Sequence, residues 1–201
     1  MNQVKIPVAV LISGRGSNME KLVEAARDAD YPAGICGVLS DQPDAGGLEF
    51  ARSNNIPAAA FARKSFADKA AHEAAIQTQL EAWGTQFVAL AGFMRVLSPE
   101  FVDLWRGRMI NIHPSLLPKY KGLDTHARAL AAGDSEHGCS VHWVTPELDG
   151  GDVIAQARIA VLDGDTVETL SKRVLVEEHR LYAKALAGGL ARFRDKARWP
   201  Y

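Results

Sequence analysis

The first half of the chain alternates short apolar runs with longer stretches of helical periodicity. Five of these runs are bounded by Gly, Ser, Pro or Asp, and they cover residues 8–13, 34–40, 56–61, 87–92 and 109–113. Strands that are apolar almost throughout are typical of a parallel sheet whose two faces are both covered by helices. The pattern therefore predicts an α/β fold in three layers, with a mostly parallel sheet in the middle.

The helical periodicity predicts six helices, at residues 18–28, 45–54, 66–83, 99–106, 126–133 and 166–188. Ser98 followed by Pro99 supports the start of the fourth helix, because Ser is a preferred N-cap and Pro is favoured at the first helical position. Two further strands, 139–144 and 152–159, flank the turn-rich TPELDGGD. We expect them to add an antiparallel edge at the C-terminal side of the sheet.

Composition narrows the class of protein. The chain has 201 residues with 47% hydrophobic composition, which predicts a single domain over 1–201. A formal net charge of -1, without blocks of like charge, argues against nucleic-acid and membrane partners and favours small molecules. The apolar run at the N-terminus is too short for a signal peptide, so we expect a soluble, cytoplasmic protein. For its assembly we expect a monomer or a weak homodimer.

The first strand leads into SGRGSN, residues 13–18, which opens the first helix. Glycines let the backbone wrap an anion, and the N–H groups at a helix start favour phosphate. Gly16, Ser17 and Asn18 are the predicted phosphate-binding residues. The loop is not a dinucleotide fingerprint, since Met19 occupies the third glycine position. By itself it could equally be a tight strand-to-helix turn.

Two polar residues end the fifth strand. Asn111 and His113 are two positions apart and project to one face, whereas Ile112 faces the packing. An amide donor beside an acid or base suits the stabilisation of an oxyanion. The alternative is structural, with the Asn bonded to loop backbone and the His packed against Pro114.

Asp149, in ELDGGD, completes a candidate catalytic trio. A carboxylate near His113 would orient the ring and raise its pKa. Alone, Asp149 could simply form a turn, since Asp-Gly is a common turn dipeptide. Ser115 follows His-Pro and does not sit on a nucleophile elbow, so the nucleophile must come from the substrate.

Three segments together carry a family resemblance: GFMRVLSPEF at 92–101, NIHPSLLPKYKG at 111–122 and HGCSVHWVTPELDGG at 137–151. They closely resemble the glycinamide ribonucleotide formyltransferases, folate-dependent enzymes of purine synthesis, and the likeness runs from the first strand to about Tyr182. The resemblance implies a Rossmann-like formyltransferase fold whose N-terminal half binds the ribonucleotide phosphate and whose C-terminal half binds 10-formyltetrahydrofolate, the co-substrate.

The resemblance also implies roles for individual residues. Asn111, His113 and Asp149 match the catalytic trio, and Gly16, Ser17 and Asn18 match the phosphate loop. Folate contacts fall on Lys69, Met94, Arg95, Val96, Leu97, Asn111, Thr145 and Asp149. Glu178 falls inside the apolar stripe of the last helix and matches a Glu that binds the ribose hydroxyls; alternatively, it pairs with a cation at the rim of the stripe.

The resulting hypothesis is direct transfer of a formyl group from 10-formyltetrahydrofolate to the amine of glycinamide ribonucleotide. Asn111 and His113 would stabilise the oxyanion, and Asp149 would keep the His113 imidazole charged. The main alternative is a formyltetrahydrofolate hydrolase, a family that usually carries an extra N-terminal regulatory domain, which we do not expect before Val8. Methionyl-tRNA formyltransferase and a non-catalytic nucleotide-binding module are further alternatives.

We predict no metal. His126, His137 and His142 could be drawn as ligands, but their surroundings in the sequence offer no supporting carboxylate or cysteine arrangement. The basic and aromatic tail at 191–201 is interpreted as a docked or frayed C-terminus.

Overall fold

A seven-stranded sheet forms the middle of the molecule in the computed structural model, which describes residues 4–198. The strands are β1 Ile6–Ile12, β2 Ala33–Ser40, β3 Ala58–Ala60, β4 Phe87–Leu90, β5 Met109–His113, β6 Glu136–Trp143 and β7 Val153–Ala160. Their spatial order is β3-β2-β1-β4-β5-β6-β7. β1 to β5 pair in parallel, whereas β5 with β6 and β6 with β7 pair antiparallel. The predicted mixed sheet is confirmed.

Helices cover both faces of this sheet. They are α1 Ser17–Ala26, α2 Gly46–Ser53, α3 Lys69–Ala82, α4 Pro99–Leu104, α5 Thr125–Ala131 and α6 Val167–Arg198. Successive residues of β1 point to opposite faces, so Val8 and Val10 pack in the cluster beneath α1, α2 and α6, whereas Ala9 packs beneath α3 and α4. The three-layer prediction is confirmed, and burial of β1 on both faces explains its unbroken apolar sequence.

Two helix boundaries differ from the sequence prediction in an informative way. α3 begins at Lys69 rather than at 66, because the Asp68 carboxylate caps it by accepting a hydrogen bond from the Ala71 N–H (2.8 Å). α6 continues past Gly188, where the prediction ended it, to Arg198. Leu186 and Leu190 are fully buried on either side of the glycine pair, so packing outweighs a helix cost of about 1 kcal/mol per glycine.

The tail interpreted as docked or frayed thus begins as helix. The Phe193 ring lies 5.9 Å from the Phe87 ring, centroid to centroid, and packs on the core, while residues 199–201 lie outside the described residues. Among residues 4–198, no helix is both long and apolar enough to cross a membrane.

The strand order reverses beside β1, since β2 lies on one side of it and β4 on the other. In open α/β sheets, ligands bind beyond the carboxyl ends of the strands at such a switch point. The loops that follow β1 and β4 meet there, and the Ser13 N–H donates to the Gly92 carbonyl oxygen (3.1 Å). The topology therefore predicts a ligand site at this edge of the sheet.

The Tyr182 hydroxyl ties α6 to the end of β4 by donating to the Leu90 carbonyl oxygen (2.7 Å) in the fully buried interior. We expect Tyr182→Phe to lower the free energy of unfolding by about 1 kcal/mol, because the buried carbonyl loses a donor. Urea unfolding followed by circular dichroism measures the change. Tyr31→Phe is the matched control, since its hydroxyl also donates to a backbone carbonyl, that of Ala183 (2.7 Å), but in a partly exposed place. Equal losses in the two variants would contradict the burial argument.

Candidate active site

A cleft of about 730 Å³ opens at the carboxyl end of the sheet. This size is within the range of sites that enclose a small organic ligand. Four segments form its walls: 92–97 after β4, 111–114 at the end of β5, 122–127 leading into α5, and 144–149 after β6. The predicted residues Met94, Arg95, Val96, Leu97 and Thr145 all line it, as do Asn111, His113 and Asp149.

The structure brings the predicted trio together in this cleft. The His113 Nδ1 lies 3.5 Å from the Asp149 Oδ2, and both side chains are buried. On its other edge, the His113 Nε2 lies 2.8 Å from the Tyr120 carbonyl oxygen. A ring nitrogen so close to a carbonyl oxygen must carry the proton, so Nε2 is the donor and Nδ1 is the nitrogen that faces the carboxylate.

His142 is the residue that the sequence reasoning missed, because it was considered only as a metal ligand. Its Nδ1 is 2.9 Å from the Trp143 carbonyl oxygen, so Nδ1 donates and Nε2 accepts. The Asn111 Nδ2 lies 3.2 Å from that Nε2, and the Asp149 Oδ1 lies 3.5 Å from it. His142 therefore joins Asn111 to Asp149. The feature that would have identified His142 as a site residue is the β5–β6 register, in which it is paired with Asn111.

Asp149 adopts a left-handed backbone conformation, with φ of 47°. Such conformations cost energy for non-glycine residues, and they concentrate at functional sites. The turn lets the Asp149 Oδ2 accept a hydrogen bond from the Gly122 N–H (2.9 Å), which connects two walls of the cleft. Burial would raise the pKa of Asp149, but the contacts with His142, Gly122 and His113 lower it below its usual value. The group is an anion at neutral pH.

Asp149 does act to raise the pKa of His113, but the expectation of a charged imidazole is wrong. Burial is the largest influence and lowers the pKa of His113, while the Tyr120 carbonyl and Asp149 act in the opposite direction without overcoming it. His113 is therefore mostly neutral at neutral pH and does not start as an imidazolium. Sequence alone does not reveal how deeply a strand-end side chain is buried.

The predicted phosphate loop forms the start of α1. Gly16 is the N-cap with φ of 76°, and no side chain caps the first turn of this helix. Gly47 packs against the loop so closely that an added Cβ would lie 2.4 Å from Ile12 Cδ1 and 3.0 Å from the Arg15 carbonyl oxygen. The N–H groups of Ser17 and Asn18 thus open the helix without a side-chain acceptor, as an anion site requires.

Glu178, in the C-terminal helix α6, contacts this loop. Its Oε2 accepts a hydrogen bond from the Asn18 Nδ2 (2.6 Å), and the side chain is buried. The alternative of a cation partner is therefore wrong, since Glu178 is paired with a neutral amide. Burial raises the pKa of Glu178 above its usual value, against the lowering effect of Asn18. The Asn18 Oδ1 is buried and has no hydrogen-bond partner among the described residues.

Lys69 does not line the cleft. Its Nζ is 3.9 Å from the Glu73 Oε1, which in turn accepts a hydrogen bond from the N–H of Ser98, the residue after the cleft-lining Leu97. Lys69 thus lies near one wall of the cleft, and its contact with folate stays a prediction.

Two of the three histidines considered as metal ligands pair with each other: the His126 Nδ1 lies 3.0 Å from the His137 Nε2. Between residues 4 and 198, no group of three or more His, Cys, Asp and Glu side chains is arranged to hold a metal ion. The absence of a metal in the working protein stays a prediction.

The chain is similar to known proteins over most of its length. The model of the formyl transferase family matches residues 6–186, which is most of the chain. The chain belongs to the formyl transferase family. This result confirms the resemblance inferred from the three motifs.

Individual members of the formyl transferase family are similar over nearly their whole length. A phosphoribosylglycinamide formyltransferase of Escherichia coli (strain K12) is 42% identical over 195 residues, covering 96% of this chain and 92% of the relative. The crystal structure of a phosphoribosylglycinamide formyltransferase from Brucella melitensis is 50% identical, with a TM-score of 0.89 and coverage of 92% and 95%. That from Coxiella burnetii is 44% identical, with a TM-score of 0.87 and coverage of 92% and 86%.

We expect Glu178→Gln to raise the free energy of unfolding at neutral pH by about 1 kcal/mol, because it removes a buried charge that lacks a cation. A raised pKa means that the folded state holds this proton more tightly. The stability contributed by Glu178 is therefore present below its ordinary pKa and lost as pH rises through the raised value. Urea unfolding at about pH 4.5 and about pH 7.5 should show a larger gain at the higher pH.

Glu177→Gln is the matched control one position earlier on α6. Its carboxylate is 26% exposed and pairs with the Arg180 guanidinium (2.7 Å), so this variant should not gain stability at either pH. A pH-independent difference between wild type and Glu178→Gln would contradict the assignment of the raised pKa.

Proposed function

We propose that this chain transfers the formyl group of 10-formyltetrahydrofolate to the amine of glycinamide ribonucleotide in purine biosynthesis. The products are formylglycinamide ribonucleotide and tetrahydrofolate. The observation that carries the proposal is the convergence of Asn111, His113 and Asp149 in one ligand-sized cleft, in a chain whose relatives are phosphoribosylglycinamide formyltransferases.

The two substrates bind to different halves of the chain. In our proposal, the domain spans 1–201, with the ribonucleotide held by its N-terminal half and the folate by its C-terminal half. The first turn of α1 (Gly16, Ser17 and Asn18) binds the phosphate, and Glu178 accepts hydrogen bonds from the ribose hydroxyls. Support comes from the uncapped helix start, and from a buried carboxylate whose one hydrogen-bond partner between residues 4 and 198 is an amide.

The folate lies in the cleft, where the segment 92–97 offers backbone groups at the edge of the pterin ring and Thr145 to Asp149 cover its face. Met94 and Val96 are 67% and 66% exposed and both line the cleft, so they present an apolar surface that a bound ring would cover. Lys69 remains our candidate for the charged tail of the folate, as a point charge at the edge of the site.

The chemistry is an attack by the substrate amine on the formyl carbon. A C–N bond forms, the carbonyl electrons move to oxygen, and the Asn111 amide donates a hydrogen bond to that oxyanion. The intermediate then collapses with cleavage of the bond to N10. The attacking nitrogen must lose one proton and N10 must gain one, so the reaction needs a relay rather than an external acid.

His113 is suited to be that relay. Its Nε2 proton is committed to the Tyr120 carbonyl, while its neutral Nδ1 faces the Asp149 carboxylate. When Nδ1 takes up the amine proton, the resulting imidazolium forms an attractive ion pair with Asp149. Before this uptake, the lone pair of Nδ1 faces the Asp149 anion. The imidazolium is thus charged transiently, and it returns the proton to N10 directly or through water. Binding both substrates in one crevice adds proximity.

No step of this scheme calls for a metal, since Asn111 and His113 supply the oxyanion and proton chemistry, and we propose a metal-free enzyme with only small-molecule partners. We further propose a cytoplasmic monomer or weak homodimer.

Incubation of the protein with 10-formyltetrahydrofolate, with and without glycinamide ribonucleotide, tests the function. We expect release of tetrahydrofolate that depends on the amine substrate. Release that is independent of the amine would indicate a hydrolase, and no release in either case would indicate a non-catalytic module. Either result would overturn the proposal.

We expect Asn111→Ala to lose roughly 3 kcal/mol of transition-state stabilisation, about a hundredfold in kcat, because it removes the oxyanion donor. Steady-state kinetics with both substrates measure the loss. Folding should be preserved, since Asn111 is the half-buried residue in the middle of β5. Turnover close to that of the wild type would remove Asn111 from the mechanism.

We expect Asp149→Asn to lower kcat and to move the pH-rate limb that reports His113 to lower pH. The carboxylate raises the pKa of His113, so its loss lets burial lower that pKa further. Asn tolerates the left-handed backbone at this position. The pH dependence of kcat from about pH 5 to about pH 9 checks the direction. Asp152 is an exposed carboxylate in the same turn, so the control variant Asp152→Asn should leave the pH-rate limb in place. A shift of the limb to higher pH in Asp149→Asn would contradict the relay.

A further inference from the structure

One buried carboxylate near the cleft does not line it. Asp41 directly follows β2, is 2% exposed, and accepts hydrogen bonds from three side chains. Ser13 Oγ donates to its Oδ1 (2.5 Å), and Arg95 Nε (2.6 Å) and Gln42 Nε2 (3.0 Å) donate to its Oδ2. The donors come from the loops after β1, β2 and β4, so a single side chain joins three strand ends.

Ser13 links Asp41 to the wall of the cleft by hydrogen bonds. Besides donating to Asp41, its Oγ accepts a hydrogen bond from the Met94 N–H (2.8 Å), and its own N–H donates to the Gly92 carbonyl (3.1 Å). Met94 is thus fixed through its backbone, although its side chain is exposed. The N–H groups of Arg95, Val96 and Leu97 donate to no other described residue, so they remain free for a ligand.

Arg95 is held by the same carboxylate. Its guanidinium is 44% exposed and borders the cleft, where an unpaired cation could reach into the ligand space. Burial would raise the pKa of Asp41, but the hydrogen bond from Ser13 and the ion pair with Arg95 lower it below its usual value. Asp41 is therefore charged at neutral pH, and its charge draws the Arg95 side chain to the β2 side.

We propose that Asp41 is a positioning residue for the folate half of the site: through Ser13 and Arg95 it fixes the backbone of residues 92–97, whose free N–H groups receive the ring of the folate. It acts without touching either substrate. The inference rests on the proposed function, since it assigns the ligand of this segment as a folate.

The test is Asp41→Asn, which keeps an acceptor for Ser13 but removes the charge that holds Arg95. Tetrahydrofolate and glycinamide ribonucleotide are titrated separately into each protein by calorimetry, so that no reaction occurs. We expect the Kd of tetrahydrofolate to rise roughly tenfold, equivalent to one charged hydrogen bond, and the Kd of glycinamide ribonucleotide to stay within about twofold. In turnover, the KM for 10-formyltetrahydrofolate should rise while kcat stays within about threefold.

Asp165→Asn is the matched control. Asp165 is half-buried with a side chain that is 6% exposed, and it forms an ion pair with a partly exposed arginine, Arg173, but it does not line the cleft. It should lower the Tm about as much as Asp41→Asn without changing either Kd. Arg95→Gln, a change at a half-exposed side chain, covers the case in which Asp41→Asn folds poorly. Combining Asp41→Asn with Arg95→Gln should weaken folate binding by less than the product of the single effects.

The outcomes separate the two proposals. A wild-type protein that does not bind tetrahydrofolate overturns the proposed function. A wild type that binds it, with an Asp41→Asn variant whose Kd is unchanged, overturns the positioning role alone. Equal weakening of both ligands also overturns that role, because it would make Asp41 a general support of the fold.

Discussion

The site depends on the burial of one charge, that of Asp149, between two imidazoles. A carboxylate in the interior is costly unless it is hydrogen-bonded or paired. Asp149 accepts a hydrogen bond from the Gly122 N–H, and it lies 3.5 Å from a ring nitrogen of each of His113 and His142, which become ion-pair partners when they take up a proton. These partners come from β5, β6 and the loop before α5. The buried charge therefore fixes the end of β5, its antiparallel neighbour β6 and two loops in one arrangement. Asp149 adopts a strained left-handed backbone conformation within this arrangement.

Much of the fold follows from the sequence because its physical causes are local. Apolar runs without alternation indicate strands that are buried on both faces, and β1 is such a strand in the structure. The convergence of the loops after β1, β4 and β5 then follows from parallel pairing, since parallel strands end at one edge. Asn111 and His113 could be assigned to one face because alternate residues of a strand share a face, and their position at the cleft follows from the end of β5 without knowledge of contacts.

Other features were not predictable, because they depend on partners that are distant in sequence. His142 becomes part of the site only through the β5–β6 register, and Asp41 only through the strand order that puts β2 and β4 on either side of β1. The pKa of His113 is decided by burial, which outweighs the nearby carboxylate on which the sequence reasoning relied. The glycine pair in α6 predicts a helix end from local propensity, yet tertiary packing carries the helix past it.

Three of the buried carboxylates around the two half-sites are compensated in three different ways. Asp41 has a guanidinium, Asp149 has the Gly122 N–H and two neighbouring imidazoles, and Glu178 has the Asn18 amide as its one hydrogen-bond partner among the described residues. The pKa follows this order, since it is lowered for Asp41 and Asp149 and raised for Glu178. A cation beside Glu178 would occupy the oxygens that hydroxyl donors need. In our proposal, leaving Glu178 without a charged partner makes it an acceptor that gains most when a polyhydroxyl ligand arrives, whereas Asp41 and Asp149 hold the geometry that the ligand meets.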